Sequence, residues 1–223
     1  MAICSFTVHS QTYEIGAMIG GANYIGDVGK TNYINPNTIS YGGILKWNRS
    51  ARHSFRATAL IANIQGDDSE SDETRRQQRG YSFESKIYEL SLGIEYTFWD
   101  FSMYDGQSAA APYMYTGITY FASDALYKDI KTKEFVDYGT NTEFAIPIVL
   151  GFKTSVGTNT VAGFEIGARY TLTDALDGSG PDKGIYKGNI DYQFGNLDSN
   201  DWYVFTGVTF TFTFGRKPCY CNF

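Results

Sequence analysis

The sequence predicts an all-β fold, an eight-stranded antiparallel transmembrane β-barrel of OmpA-like size. Three observations lead to this fold class. Eight stretches of the chain alternate apolar and polar side chains with a period of two, the period of a β-strand. The charged residues inside these stretches fall on the less apolar face. The connections between the stretches alternate between long and short, as in outer-membrane barrels with long extracellular loops and short periplasmic turns.

The first three predicted strands show this alternation. They are Tyr13 to Tyr24, Ile39 to Trp47 and His53 to Gln65. In the first of them, Gly16 and Gly20 lie opposite Ile15 and Ile19. We expect these glycines on the inner face of a narrow barrel, where side-chain space is scarce.

The fourth predicted strand gives the cleanest alternation in the chain. Its apolar face carries Tyr88, Leu90, Leu92, Ile94, Tyr96 and Phe98. Aromatic side chains at both ends with aliphatic ones between them are what the two interfaces of a bilayer select. The apolar face of this strand is therefore predicted to face lipid.

Four further strands complete the predicted barrel. They are Pro112 to Phe121, Phe144 to Lys153, Val161 to Leu172 and Trp202 to Phe214. The predicted long connections are residues 26–38, 66–86, 122–142 and 173–201, and the shorter ones are 48–52, 100–111 and 157–160. An even number of strands places both termini on the periplasmic side of the outer membrane.

The predicted connection 66–86 is rich in charge. Its acids are Asp67, Asp68, Glu70, Asp72 and Glu73, and its bases include Arg75, Arg76 and Arg79. The acids do not have the spacing of an EF-hand calcium loop, so we expect a solvated loop without a metal ion.

Eight charged residues fall on the predicted inner face, and the four acids balance the four bases. They are Glu14, Lys46, Arg56, Glu89, Glu95, Lys153, Glu165 and Arg169. A charge facing lipid at mid-depth costs about 2–4 kcal/mol, so these side chains are expected inside. Because an eight-stranded barrel is only wide enough for its own side chains, we predict a lumen plugged by ion pairs and not a diffusion pore.

Several function classes find no support in the sequence. The formal net charge of −6 and the lack of a basic stripe argue against nucleic-acid binding. Carboxylates opposite Lys and Arg are expected in any polar barrel interior, and no Gly-x-Ser-x-Gly or His-based nucleophile arrangement is present. We therefore predict a protein that is not an enzyme and has no catalytic residues, cofactor, metal site or small-molecule substrate.

The two ends of the chain are expected to lie outside the barrel. Residues 1–10 read as the remnant of a signal peptide, residues 11–215 as the outer-membrane barrel, and residues 216–223 as a periplasmic tail. Cys219 and Cys221 are too close in sequence for a good mutual disulfide, and two cysteines alone are too few for a zinc site.

Several segments resemble the PorG family, over essentially the whole chain after its first residues. They are Gly20–Asp27, Lys46–Ser50, Arg52–Ser54, Gln78–Tyr81, Phe144–Pro147, Gly163–Tyr170, Asn200–Gly207 and Phe214–Cys221. The resemblance implies an outer-membrane component of the type IX secretion system of Bacteroidetes. Such proteins associate with a periplasmic ring of PorK and PorN and so serve protein secretion and, in gliding species, gliding motility.

In that case the periplasmic turns and tail are the surfaces that a ring could contact. The candidate partner-binding residues are Arg49, Arg52, Arg216, Lys217, Cys219, Tyr220 and Cys221. The same positive edge could instead face anionic lipid headgroups, and either tail cysteine could form an intermolecular disulfide in the periplasm. Two other functions remain open: a small passive outer-membrane channel, or a surface adhesin that binds an external ligand through residues 66–86 and 173–201.

Overall fold

Eight antiparallel strands close into one barrel in the computed structural model, which describes residues 12–102, 109–129, 132, 134–181, 184–196 and 200–215. Each strand pairs with its neighbours in sequence, and the first pairs with the last through Thr12 and Gly215 up to Ile25 and Trp202. The strands are β1 Thr12–Ile25, β2 Thr38–Asn48, β3 His53–Asp67, β4 Ser82–Thr97, β5 Ala110–Lys128, β6 Phe135–Val156, β7 Thr160–Thr171 and β8 Trp202–Gly215. The predicted eight-stranded antiparallel barrel is confirmed.

The two ends of the barrel differ. We call the end with connections 49–52, 98–109 and 157–159 the turn end, and both Thr12 and Gly215 lie there. The opposite end, the loop end, carries connections 26–37, 68–81, 129–134 and 172–201. No helix in the described parts of the chain has the length and apolarity needed to cross a membrane.

An apolar belt surrounds the outside of the barrel. One continuous row across four strands joins Leu45, Ala57, Leu92 and Ile118 through direct cross-strand pairs. Leu92 is 59% exposed and Ile118 is 65% exposed. Soluble monomers rarely expose a contiguous apolar surface of this extent. The belt is therefore the part of the surface that requires an apolar surrounding.

On the inner face, Gly93 and Gly117 are cross-strand partners that bring β4 and β5 together. A Cβ added to Gly93 would lie 2.1 Å from the carbonyl oxygen of Thr116, so a side chain cannot be placed there without moving backbone. Gly93 also pairs with Arg56 of β3. The missing side chain leaves lumen space beside that arginine.

The predicted long connection 122–142 is wrong. β5 continues to Lys128 and β6 begins at Phe135, which leaves only residues 129–134 between them. The two strands pair with each other along this extension, through pairs such as Ser123 with Asn141. Polar side chains suggested a loop, but a hairpin satisfies its backbone hydrogen bonds by strand pairing whatever its side chains are.

The predicted solvated loop 66–86 is wrong in part, because β3 extends to Asp67 and β4 starts at Ser82. Between them lie a 3₁₀ turn, Asp68–Glu70, and the short helix α1, Thr74–Arg79. Gly80 ends α1 with a left-handed φ of 66°, and its amide donates to the carbonyl of Arg76.

Candidate functional site

The turn-end half of the lumen is filled by an ion-pair network centred on Glu95. The Lys46 and Lys153 ammonium nitrogens each lie 2.7 Å from a carboxylate oxygen of Glu95, and Arg56 lies 3.5 Å away. Arg56 also makes two 2.9 Å hydrogen bonds to Glu165. Alternation along five strands brings these side chains together, because each of them occupies an inward position.

A second pair lies further toward the loop end. Arg169 donates hydrogen bonds of 3.1–3.3 Å to both carboxylate oxygens of Glu89, and another of 2.8 Å to the carbonyl of Gly167. The Tyr203 hydroxyl donates to Glu89 over 2.7 Å. Glu89 and Arg169 are both nearly fully buried, at 4% and 1% exposure. Each charge in this cluster therefore has partners that replace water.

Glu14 was expected to take part in the ion pairs of the lumen, but its carboxylate is bound by neutral groups. Its carboxylate accepts hydrogen bonds from Asn48 at 2.7 Å and from Thr211 at 2.8 Å, and within the described residues it joins no ion pair. Lys46 is its cross-strand neighbour, but the ammonium group of Lys46 contacts Glu95 instead. Glu14 thus belongs to the polar interior through neutral donors.

The loop-end half of the lumen is apolar, which the prediction of an ion-paired interior missed. Its fully buried side chains include Met18, Leu60, Ile64, Ile87, Phe121 and Phe205. A signal was present in the sequence, because the inward positions of β3 change from Arg56 and Thr58 to the apolar Leu60, Ala62 and Ile64 in its second half. A strand with lipid on one side and an apolar lumen on the other loses its polar alternation.

Residues 173–181, at the start of the connection between β7 and β8, lie over the loop end of the barrel. Leu176 is fully buried and packs with the apolar lumen, and its amide donates to Asp201 over 3.0 Å. Asp201 in turn accepts a hydrogen bond of 2.5 Å from the Tyr24 hydroxyl of β1. These residues are thereby attached to the barrel by the packing of Leu176 and, through Asp201, by the hydrogen bond from Tyr24.

The connection between β3 and β4 is fixed at the loop end by Asp68 and Arg79. Their closest atoms lie 2.7 Å apart, and the Asp68 carboxylate also accepts from the amides of Gly29 and Tyr81. Burial alone would raise the pKa of the Asp68 carboxyl, but the hydrogen bonds from Arg79, Gly29 and Tyr81 outweigh it and hold the pKa below its ordinary value. Asp68 is therefore a satisfied, ionised carboxylate.

At the turn end, the partly exposed Phe101 lies next to the ion-pair network. Its ring lies 4.9 Å from the Lys153 ammonium group, and its amide donates to the carbonyl of Ala51. Outside it, Arg52 forms an exposed pair with Asp100 at 2.5 Å. Arg49 is exposed on the same turn.

The other candidate partner-binding residues, Arg216, Lys217, Cys219, Tyr220 and Cys221, lie outside the described residues, as does the predicted signal segment 1–10. Within the described ranges, no group of three or more His, Cys, Asp or Glu side chains is placed to hold a metal ion.

A family model described as a domain of unknown function, DUF6089, matches residues 1–223. The chain belongs to this family. No curated protein matches it.

Several solved structures are similar to this DUF6089 chain at low sequence identity. Ail, the attachment invasion locus protein of Yersinia pestis, in complex with the heparin analogue sucrose octasulfate, is 8% identical with a TM-score of 0.46, over 93% of this chain and 100% of that one. Neisserial surface protein A is 10% identical with a TM-score of 0.46, over 92% and 96%. The outer membrane protein OprG from Pseudomonas aeruginosa is 13% identical with a TM-score of 0.44, over 92% and 96%.

Proposed function

We propose that this DUF6089 protein is an integral outer-membrane barrel that anchors the periplasmic PorK and PorN ring of the type IX secretion system. In this role it supports protein export and gliding motility without enzymatic activity. The observation that carries the proposal is a barrel that is apolar outside and sealed inside. Such a barrel holds a position in the membrane and offers no path through it.

The apolar belt supports the membrane location. Leu92 and Ile118 lie at its centre, and Tyr120 pairs with Phe144 to continue it onto β6. In water this surface would favour aggregation, whereas in a bilayer it costs nothing. A bilayer therefore supplies the apolar surrounding that the belt requires.

The sealed lumen supports an anchor over a passive channel. The Glu95 network and the Glu89–Arg169 pair span the turn-end and middle parts, and Phe121 with Phe205 fill the part above them. A conducting path would have to separate buried ion pairs and also open an apolar layer. This interior is therefore less compatible with a passive channel than with an anchor.

The turn end is the proposed partner surface. Gly215 ends β8 there, at the same end of the barrel as the turn that carries Arg49 and Arg52. The pair between Arg52 and Asp100 holds that guanidinium at the surface without burying it. A charged, exposed edge of this kind steers and orients a partner of opposite charge.

We expect the double charge reversal Arg49→Glu with Arg52→Glu to reduce capture of the ring proteins from solubilised outer membranes by about tenfold or more, since like charges then face the partner. Deletion of residues 216–223 should reduce capture as well. The measurement is a pull-down with quantification of PorK and PorN, accompanied by heat-modifiability in gel electrophoresis as a check that the barrel is folded.

The matched control is Arg75→Glu, an exposed arginine on α1 at the opposite end of the barrel. This variant should capture the ring as the native protein does. Undiminished capture by both the double reversal and the tail deletion would contradict the assignment of the turn end.

A surface-binding role is the second candidate, and exposed apolar side chains at the loop end favour it. Tyr33 is 79% exposed, Ile34 is 55% exposed and Ile190 is 77% exposed. This hypothesis requires an external ligand for the loop-end connections. Exchanging residues 172–201 for another sequence would then abolish function while the turn end remained dispensable.

A further inference from the structure

Four aspartates converge at the loop end of the barrel without enough hydrogen-bond donors. They are Asp27 of the β1–β2 connection and Asp174, Asp177 and Asp201 of the β7–β8 connection. Asp177 is fully buried and Asp201 is 1% exposed. This cluster lies beside Leu176, the residue that seals the apolar lumen.

Three carboxylate oxygens of the cluster are buried and unpartnered among the described residues. They are both oxygens of Asp174 and Oδ2 of Asp177. Two hydroxyl groups are close to them, but each has a single proton that is already donated. Tyr24 donates to Asp201, and Ser179 donates to the backbone carbonyl of Asp174 over 2.9 Å.

Few opposing charges compensate the cluster. Arg79 acts on Asp177 from the β3–β4 connection, but its guanidinium is bound to Asp68. Asp27 faces the cluster as a further acid, with one oxygen accepting from the Asn196 amide. Buried carboxylates that lack donors and cations are stable only when some of them carry a proton, because a proton turns an acceptor into a donor and removes a charge.

We propose that residues 173–181, at the start of the β7–β8 connection, form a proton-controlled lid. Protons on Asp174 and Asp177, whose buried carboxylate oxygens lack donors, hold it in the loop end of the barrel. Their loss as the pH rises releases it and exposes Leu176 together with the apolar lumen beneath.

The direction of the pH dependence follows from the carboxyl groups. Burial, with the charges of Asp177 and Asp27, raises the pKa of Asp174 to about 7 from an ordinary 3.8. Burial raises the pKa of Asp177, and burial with the charge of Asp177 raises that of Asp201 still more clearly. The closed lid therefore binds protons more tightly than the open one. Its stabilisation is complete below the ordinary pKa and is lost as the pH rises to about 7 and above.

The test is hydrogen exchange of the amides of residues 174–179 in the full-length protein in detergent micelles, at several values from about pH 5 to about pH 8.5. Protection factors, which are corrected for the intrinsic pH dependence of exchange, should fall about tenfold per pH unit for each proton released. Amides in the middle of β4 should keep their protection. Constant protection of residues 174–179 in the native protein would overturn the proposal.

The double variant Asp174→Asn with Asp177→Asn keeps the side-chain sizes and replaces both missing protons by amide donors. It should retain lid protection at the alkaline end of the range, and each single variant should show a weaker pH dependence than the native protein. Asp191→Asn, an exposed aspartate of the same connection, should respond to pH as the native protein does. A native pH response in the double variant would contradict a lid held by protons on this cluster, and so would protection that depends on added calcium and not on pH. The native titration alone decides the matter if a variant fails to fold.

Discussion

Replacing Glu95 with glutamine is expected to destabilise the folded barrel by about 3–5 kcal/mol, the range for removing one partner from a buried ion pair. Glu95 is fully buried and is shared by Lys46, Lys153 and Arg56. The glutamine side chain keeps the volume but loses the charge that compensates these cations. The measurement is unfolding by urea in detergent micelles, compared with the native chain.

Two controls separate the lost charge from a general effect of substitution. Glu84→Gln, at an exposed position of the same strand, should change stability by less than about 0.5 kcal/mol. Removing Lys153 together with Glu95, as Glu95→Gln with Lys153→Gln, should recover about 1–3 kcal/mol, because the neighbouring charges then balance again. A single Glu95→Gln variant as stable as the native protein would contradict the network.

The second large effect is expected at the belt, where Ile118→Arg should destabilise the barrel by about 2–4 kcal/mol in lipid vesicles. Ile118 is 65% exposed, so the arginine has room and would be harmless if water surrounded it. In hydrocarbon its charge loses hydration that the protein does not replace. The measurement is the folded fraction in vesicles as a function of urea.

Ile190→Arg is the matched control, because Ile190 is as apolar and at 77% more exposed, but lies on the loop-end connection. We expect it to change stability by less than about 0.5 kcal/mol. Equal and small effects at positions 118 and 190 would show that water surrounds both, and the belt would then not face lipid.

Local alternation was sufficient to predict the strands and the inward direction of the charged residues. A period of two relates each side chain to its own strand and needs no knowledge of distant parts of the chain. Even so, the polar outer part of the β5–β6 hairpin was taken for a loop, because its strands are stabilised by mutual pairing and not by an apolar face. Residues such as Ser123 and Asn141 carry no local sign of that pairing.

The loop-end carboxylate cluster could not be predicted from the sequence. Tyr24 and Asp201 are separated by 177 positions and meet only because β1 pairs with β8 at barrel closure. The sequence also could not show which members of the ion-pair network contact each other. Alternation places Glu95 and Glu14 inside alike, but the three-dimensional register decides that Lys46 contacts Glu95 and leaves Glu14 to Asn48 and Thr211.

Hydrocarbon should surround the barrel at its belt, and spin labelling tests this surrounding most directly. A nitroxide would be placed on Ile118→Cys or Ile190→Cys, in a chain whose native cysteines are replaced by serine, and the protein inserted in lipid vesicles. The label at position 118 should collide frequently with oxygen and rarely with a water-soluble nickel chelate, with the reverse at position 190. Frequent collisions with the nickel chelate at position 118 would contradict a barrel embedded in a membrane.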